Sequence, residues 1–182
     1  MTLIETIKEK YKQLEAINQS LLSDISQLSE EDLLRRPDDK SWCIIQVLDH
    51  VKNTELGTLL YIRKKLKYGG LKNLSWSAGL RNFLMKSVNN SSVRFKMPSV
   101  LLQPEASKTL DQIITEWSEL RTKWHGLFDE FPKEHLDKAI FKHPFFGRLS
   151  LSQAIDSMTT HQNHHIKQIN RIKKAYKLDK RS

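Results

Sequence analysis

Residues Ser150–Tyr176, SLSQAIDSMTTHQNHHIKQINRIKKAY, decide the fold. Leu151, Ala154, Ile155 and Met158, then His161, His165, Ile169 and Ile172, recur at spacings of three and four, the repeat of one helix face. Ser150 with Gln153 forms a capping-box pattern, so the spacing predicts a helix from about Ser150 to about Tyr176. Such a helix cannot bury its apolar stripe alone and needs partners of the same kind.

Those partners lie upstream. Leu3, Ile4, Ile7, Tyr11, Leu14, Ile17, Leu21 and Ile25 predict a first helix from about Thr2 to Gln27. Ser29 to Asp32 is a second capping pattern that opens a short turn, and Pro37–Ser41 breaks the chain. A second long helix is expected from about Trp42 to Leu66, with Ser41 as N-cap and Ile44, Val47, Leu48, Val51, Leu59 and Ile62 inward. Gly69 and Gly70 stop it. The third long helix spans about Lys108 to Phe131, with Leu110, Ile113, Ile114, Trp117, Leu120, Trp124, Leu127 and Phe128 inward, and Pro132 ends it. From about Leu71 to Ser107 the chain is irregular, apart from a short helix suggested by Leu80, Phe83, Leu84 and Val88. A connection of that length is too long for antiparallel neighbours and implies a crossover. The fold class is therefore all-α: a four-helix bundle with a long crossover connection between the second and third long helices. It reads as a single domain over 1–182, with a basic tail expected to fray from about residue 177.

Composition narrows the function classes. The 182 residues are 38% hydrophobic and 28% charged, with 6 Gly and 5 Pro, which suits a packed domain and disfavours disorder or a many-turned β chain. No apolar run is long enough for a membrane span, and the N-terminus carries acids where a signal peptide needs apolar residues. With one cysteine, Cys43, the expected compartment is the cytoplasm. Cys43 has no base beside it in sequence and reads as a small buried residue at a helix start, not a nucleophile.

The net charge is +9 and uneven. Residues 56–104 hold no Asp or Glu, and residues 167–182 hold seven basic side chains against Asp179. A basic surface can attract nucleic acid or an anionic small molecule. No nucleic-acid motif accompanies it, so a solvated basic face is the preferred reading and nucleic acid is disfavoured.

The chemistry lies in the histidines. His161 and His165 replace apolar residues in the middle of the last helix's stripe, one turn apart on one face, a metal-ligand spacing. His164 falls about 100° round the helix, toward a flank. Core hydrogen bonds or a metal would each satisfy two interior imidazoles. His50 sits beside the buried stripe of the second long helix, and bundles build metal sites from inward side chains on facing helices. Three histidines would leave coordination positions open, as catalytic sites require. His125 reads as a surface or satisfied histidine, His135 as exposed, and His143 as serving its loop, which approaches the metal if it folds inward. Asp49 neighbours His50 but faces elsewhere. Gln168, one turn after His165, either orients a ligand or edges the stripe. Trp76, Trp117 and Trp124 read as core.

Trp42–His50, WCIIQVLDH, resembles the Trp-containing helix motif of the DinB-like superfamily. His143–Ser150, HPFFGRLS, is similar to that family's turn before the last helix, and His161-x-x-x-His165-x-x-Gln168-Ile169 to its terminal histidine motif. The three occur in the family's order. The resemblance implies a four-helix bundle with a divalent metal, commonly nickel or zinc, held by three histidines that correspond to His50, His161 and His165. It also implies kinship with thiol-dependent transferases that use bacillithiol, mycothiol or a related low-molecular-weight thiol.

Three functions follow as expectations. The first is a metal-dependent enzyme that hydrolyses a small electrophile or adds a thiol to it, with a metal-bound water or thiol as nucleophile and no side chain assigned as base. Lys167 and Arg171, or basic residues between Arg63 and Lys96, would receive an anionic thiol. The second is a non-catalytic bundle that binds a metal or small ligand. The third, least favoured, is a basic nucleic-acid-associated protein. The expected partner is a small-molecule substrate, no membrane is involved, and a homodimer is left open.

Overall fold

The computed structural model of the protein describes residues 1–74 and 108–178. Four long helices carry the fold: α1 (Leu3–Ile25), α3 (Ile44–Tyr68), α4 (Leu110–Glu130) and α5 (Leu151–Ala175). A one-turn helix, α2 (Glu30–Leu34), lies between α1 and α3, capped by Ser29 as its sequence predicts. Thr2, Thr109 and Ser150 close capping boxes with Glu5, Gln112 and Gln153, which satisfies orphan amides at the starts of α1, α4 and α5. Gly69 ends α3 at φ +71°, a conformation glycine adopts without steric cost.

One expected cap is wrong. Ser41 does not cap α3; its hydroxyl donates to Asp38, 2.8 Å away. The N-cap is Cys43, whose amide donates to Gln46 Oε1 at 3.2 Å, so α3 begins two residues later than expected. Cys43 is a buried, unoxidised residue at a helix start.

Side-chain pairs fix the helix directions. Lys10 meets Asp156 and Lys173 meets Asp24, so α1 and α5 run parallel. Lys52 meets Glu116, Glu55 meets Trp117, and Arg63 donates to the Lys123 carbonyl, so α3 and α4 are also parallel. Lys8–Asp129 and Glu15–His125 set α1 antiparallel to α4. The order is up-down-down-up. The end of α3 and the start of α4 therefore lie at opposite ends of the bundle. The crossover is thereby required by the helix directions. Its expected short helix around Leu80–Val88 and Trp76 lie outside the described residues.

The core is filled largely by the predicted stripes, though Ile4, Leu110 and Ile114 are only half-buried. On α1 the inward positions are Ile7, Tyr11, Leu14, Asn18, Leu21 and Ile25. Ile17 is only half-buried, because the alternating three-and-four spacing puts Asn18 on the inward face instead. Leu3 is exposed at the helix start. Trp117 and Trp124 are fully buried. A cluster of Asp49, Lys52, Lys108 and Glu116 joins α3 to α4, with Lys52 3.0 Å and Lys108 3.2 Å from Asp49. Asp49 thus faces α4, away from the histidines.

The stretch before α5 is more ordered than a loop. Phe141–His143 (β3) pairs antiparallel with Gly147–Leu149 (β4), and Gly147 takes φ +70° in the turn. Lys72–Asn73 (β1) pairs with Lys138–Ala139 (β2), after a single 3-10 turn at Lys133–His135. These ribbons are additions to the four long helices and contribute buried Ala139 and Leu149. Among the described residues no helix is long and apolar enough to cross a membrane.

Candidate metal centre

His50, in the second turn of α3, faces His161 and His165 in the middle of α5. The ligand atoms of all three lie within 4.8 Å of one another. His161 Nε2 is 3.3 Å from His50 Nε2 and 3.1 Å from His165 Nε2. Two nitrogens each about 2.0–2.1 Å from one ion, at a near-tetrahedral angle, lie about 3.3 Å apart. His161 therefore stands at ligand spacing from both other rings, and His50 and His165 lie within 4.8 Å of each other.

Their protonation suits that use. Burial lowers the pKa of His50, and burial with the neighbouring His165 and His50 holds His161 well below the ordinary imidazole range. His165 is pushed down to about 3, chiefly by burial and then by His50. Neutral imidazoles offer lone pairs to a metal without proton competition near pH 7. Three neutral rings whose Nε2 atoms converge cannot all satisfy one another by hydrogen bonds, so a cation is the chemically complementary occupant.

The surroundings orient the rings. His165 Nδ1 lies 2.8 Å from Gln168 Oε1; by donating there it turns its Nε2 lone pair to the cluster. Of the two roles open to Gln168, the orienting one has geometric support. The Trp42 ring packs on His50 with centroids 5.0 Å apart, a contact the sequence reading did not assign. His50 and His165 each keep 8% of their surface exposed, so the cluster is buried without being sealed.

The remaining histidines stand apart from the cluster. His164 is half-buried on the flank, its ring 5.1 Å from that of His165. His143 Nδ1 accepts from the amides of Phe145 and Phe146 at 3.1 and 3.2 Å, which ties the β3–β4 turn together. Burial pushes its pKa down to about 4, and it is near enough to His161 to act on that ring electrostatically. Both strands of this hairpin contact α5. His125 lies 3.0 Å from Glu15 at the surface, and His135 is half-buried, where an exposed side chain is expected from the sequence.

The sequence model of the DinB superfamily matches residues 13–169, which includes all three clustered histidines. The chain belongs to the DinB superfamily. This DinB chain is 22% identical over 151 residues to "Uncharacterized protein YuaE" of Bacillus subtilis, covering 83% of this chain and 89% of that one. It is also 22% identical over 166 residues to "Putative metal-dependent hydrolase OB0413" of Oceanobacillus iheyensis, covering 91% and 84%. Among solved structures it resembles TT2238, a four-helix bundle protein, with a TM-score of 0.58 and 19% identity over 91% of this chain and 98% of that one. That likeness concerns the bundle alone.

Proposed function

We propose that this DinB chain binds one divalent metal ion through His50, His161 and His165 and uses it to hydrolyse a small electrophilic substrate. The observation that carries the reading is the convergence of three neutral Nε2 atoms at ligand spacing. When bound, the ion supplies Lewis acidity and lowers the pKa of a nucleophile at its open positions. The protein's part is to hold the three rings neutral and fixed. Gln168 orients His165, and Trp42 walls His50.

Hydrolysis is preferred over thiol addition because a relative of nearly full-length coverage bears the name of a metal-dependent hydrolase. Imidazole ligands suit nickel and zinc alike, so the donor set leaves that choice to the loading experiment. The test is turnover by protein reconstituted with each ion. A panel of ester and amide substrates, and of alkyl electrophiles with and without a low-molecular-weight thiol, separates the two reactions. Ester or amide cleavage that disappears in His161→Ala supports hydrolysis. Turnover seen only with added thiol replaces it with transfer, and no turnover on either panel defeats the catalytic reading.

A further inference from the structure

A small cavity lies between α1, α3 and α5, walled by Leu14, Thr54, Glu55, Met158, His161 and Gln162. It has room for about one water molecule. Gln162 is 1% exposed, and neither its Oε1 nor its Nε2 has a hydrogen-bond partner among the described residues. An unpaired buried amide is costly, and native proteins commonly answer it with an ordered water. Glu55 is anchored on the opposite wall: Oε1 accepts from the Tyr11 hydroxyl and Oε2 from Trp117 Nε1, each at 2.8 Å. Each carboxylate oxygen keeps a further lone pair.

His161 supplies the missing donor. Its Nε2 is turned to the other two histidines, so as a ligand it carries its proton on Nδ1. A ligating histidine donates that proton to an acceptor that fixes ring and tautomer. His165 has Gln168 for this purpose. Among the described residues no protein group serves His161 Nδ1 in the same way. We propose that Glu55 and Gln162 hold a water in the cavity that accepts the Nδ1–H of His161, making both of them positioning residues for this ligand. The water accepts from His161 and from Gln162 Nε2, donates one O–H to Glu55, and finds the Thr54 hydroxyl oxygen on the same wall for the other.

This inference rests on the metal reading above, and the experiment separates the two. Cobalt(II) is titrated into metal-free wild type and Gln162→Leu, with affinity read by chelator competition and the site by its visible absorption bands. The melting temperature of each metal-free protein is measured alongside. Losing the water's anchor should weaken cobalt binding threefold or more, with about tenfold typical of such outer partners, and should shift the bands. The metal-free variant should fold and melt cooperatively, so that weaker cobalt binding is not read as loss of the fold. Should Gln162→Leu not fold, Gln162→Met, of similar length, is read in the same way. Affinity within threefold of wild type in the folded variant overturns the proposal. A wild type that takes up no cobalt defeats the metal reading itself.

Discussion

Tyr11→Phe removes one oxygen atom from the centre of the bundle and leaves the ring that fills the space. Tyr11 is 1% exposed and Glu55 4% exposed, and the 2.8 Å bond between them spans the core from α1 to α3. Burial and Glu55 push the phenol's pKa far up, so it remains a donor at every accessible pH. After substitution Glu55 Oε1 loses this donor, and Trp117 serves only the other oxygen. A buried acceptor stripped of its partner costs about 1–3 kcal/mol, so about 2 kcal/mol is expected. For a chain of this size each kcal/mol corresponds to about 2–4 °C, giving a fall in melting temperature of about 4–8 °C. Calorimetry and urea unfolding of metal-free protein measure it, and the urea slope should be unchanged because the exposed surface on unfolding is the same. Tyr61→Phe is the control: that ring packs on Phe141 with centroids 5.4 Å apart and should tolerate the change within about 0.5 kcal/mol. In a Glu55→Leu background Tyr11→Phe should cost little, since the shared bond is already gone. A Tyr11→Phe cost below about 0.5 kcal/mol, or an equal cost with and without Glu55, refutes the reasoning.

Acid should destabilise the metal-free protein through the cluster. His165 titrates at about 3 when folded against 6.5 as the ordinary value, so between those limits the unfolded chain takes the proton first and stability falls as pH falls. From pH 7.5 to 5 this one ring costs about 2 kcal/mol, measurable by urea unfolding at each pH, and His165→Gln should flatten that slope. Lys52→Met should cost about 3 kcal/mol by leaving the buried Asp49 carboxylate with Lys108 as its remaining cation, and adding Asp49→Asn should recover part of the loss in the same unfolding assay. His143→Ala frees the amides of Phe145 and Phe146, so hydrogen exchange at those two should accelerate while α5 keeps its protection.

Much of the fold is legible in the sequence because the stripes on α1, α3, α4 and α5 alternate three and four with few interruptions, and because Ser150, Ser29 and Gly69 mark ends by known cap chemistry. Errors fell where a polar residue took an inward place. Asn18 and Gln162 are buried, yet an apolar-stripe reading passes over both, taking Ile17 in place of Asn18. Glu55 carried a readable signal, being four residues from both Val51 and Leu59 on the inward face of α3. The pair His161 and His165 is visible from spacing alone. His50 is legible as a residue beside the buried stripe of α3, but its meeting with that pair depends on packing between helices far apart in sequence. The β3–β4 hairpin was missed because its strands are three residues each, too short for alternation to show.

In the proposed function His50, His161 and His165 together hold one metal ion. The most direct test is calorimetric titration of nickel and zinc into untagged, metal-free protein, beside the alanine variants of all four histidines in question. One site per chain is expected in wild type, with affinity lost about a hundredfold or more in His50→Ala, His161→Ala and His165→Ala. His164→Ala should bind within about threefold of wild type, because that ring lies outside the cluster. Undiminished binding in His50→Ala, or a loss in His164→Ala as deep as in His165→Ala, would contradict the assignment.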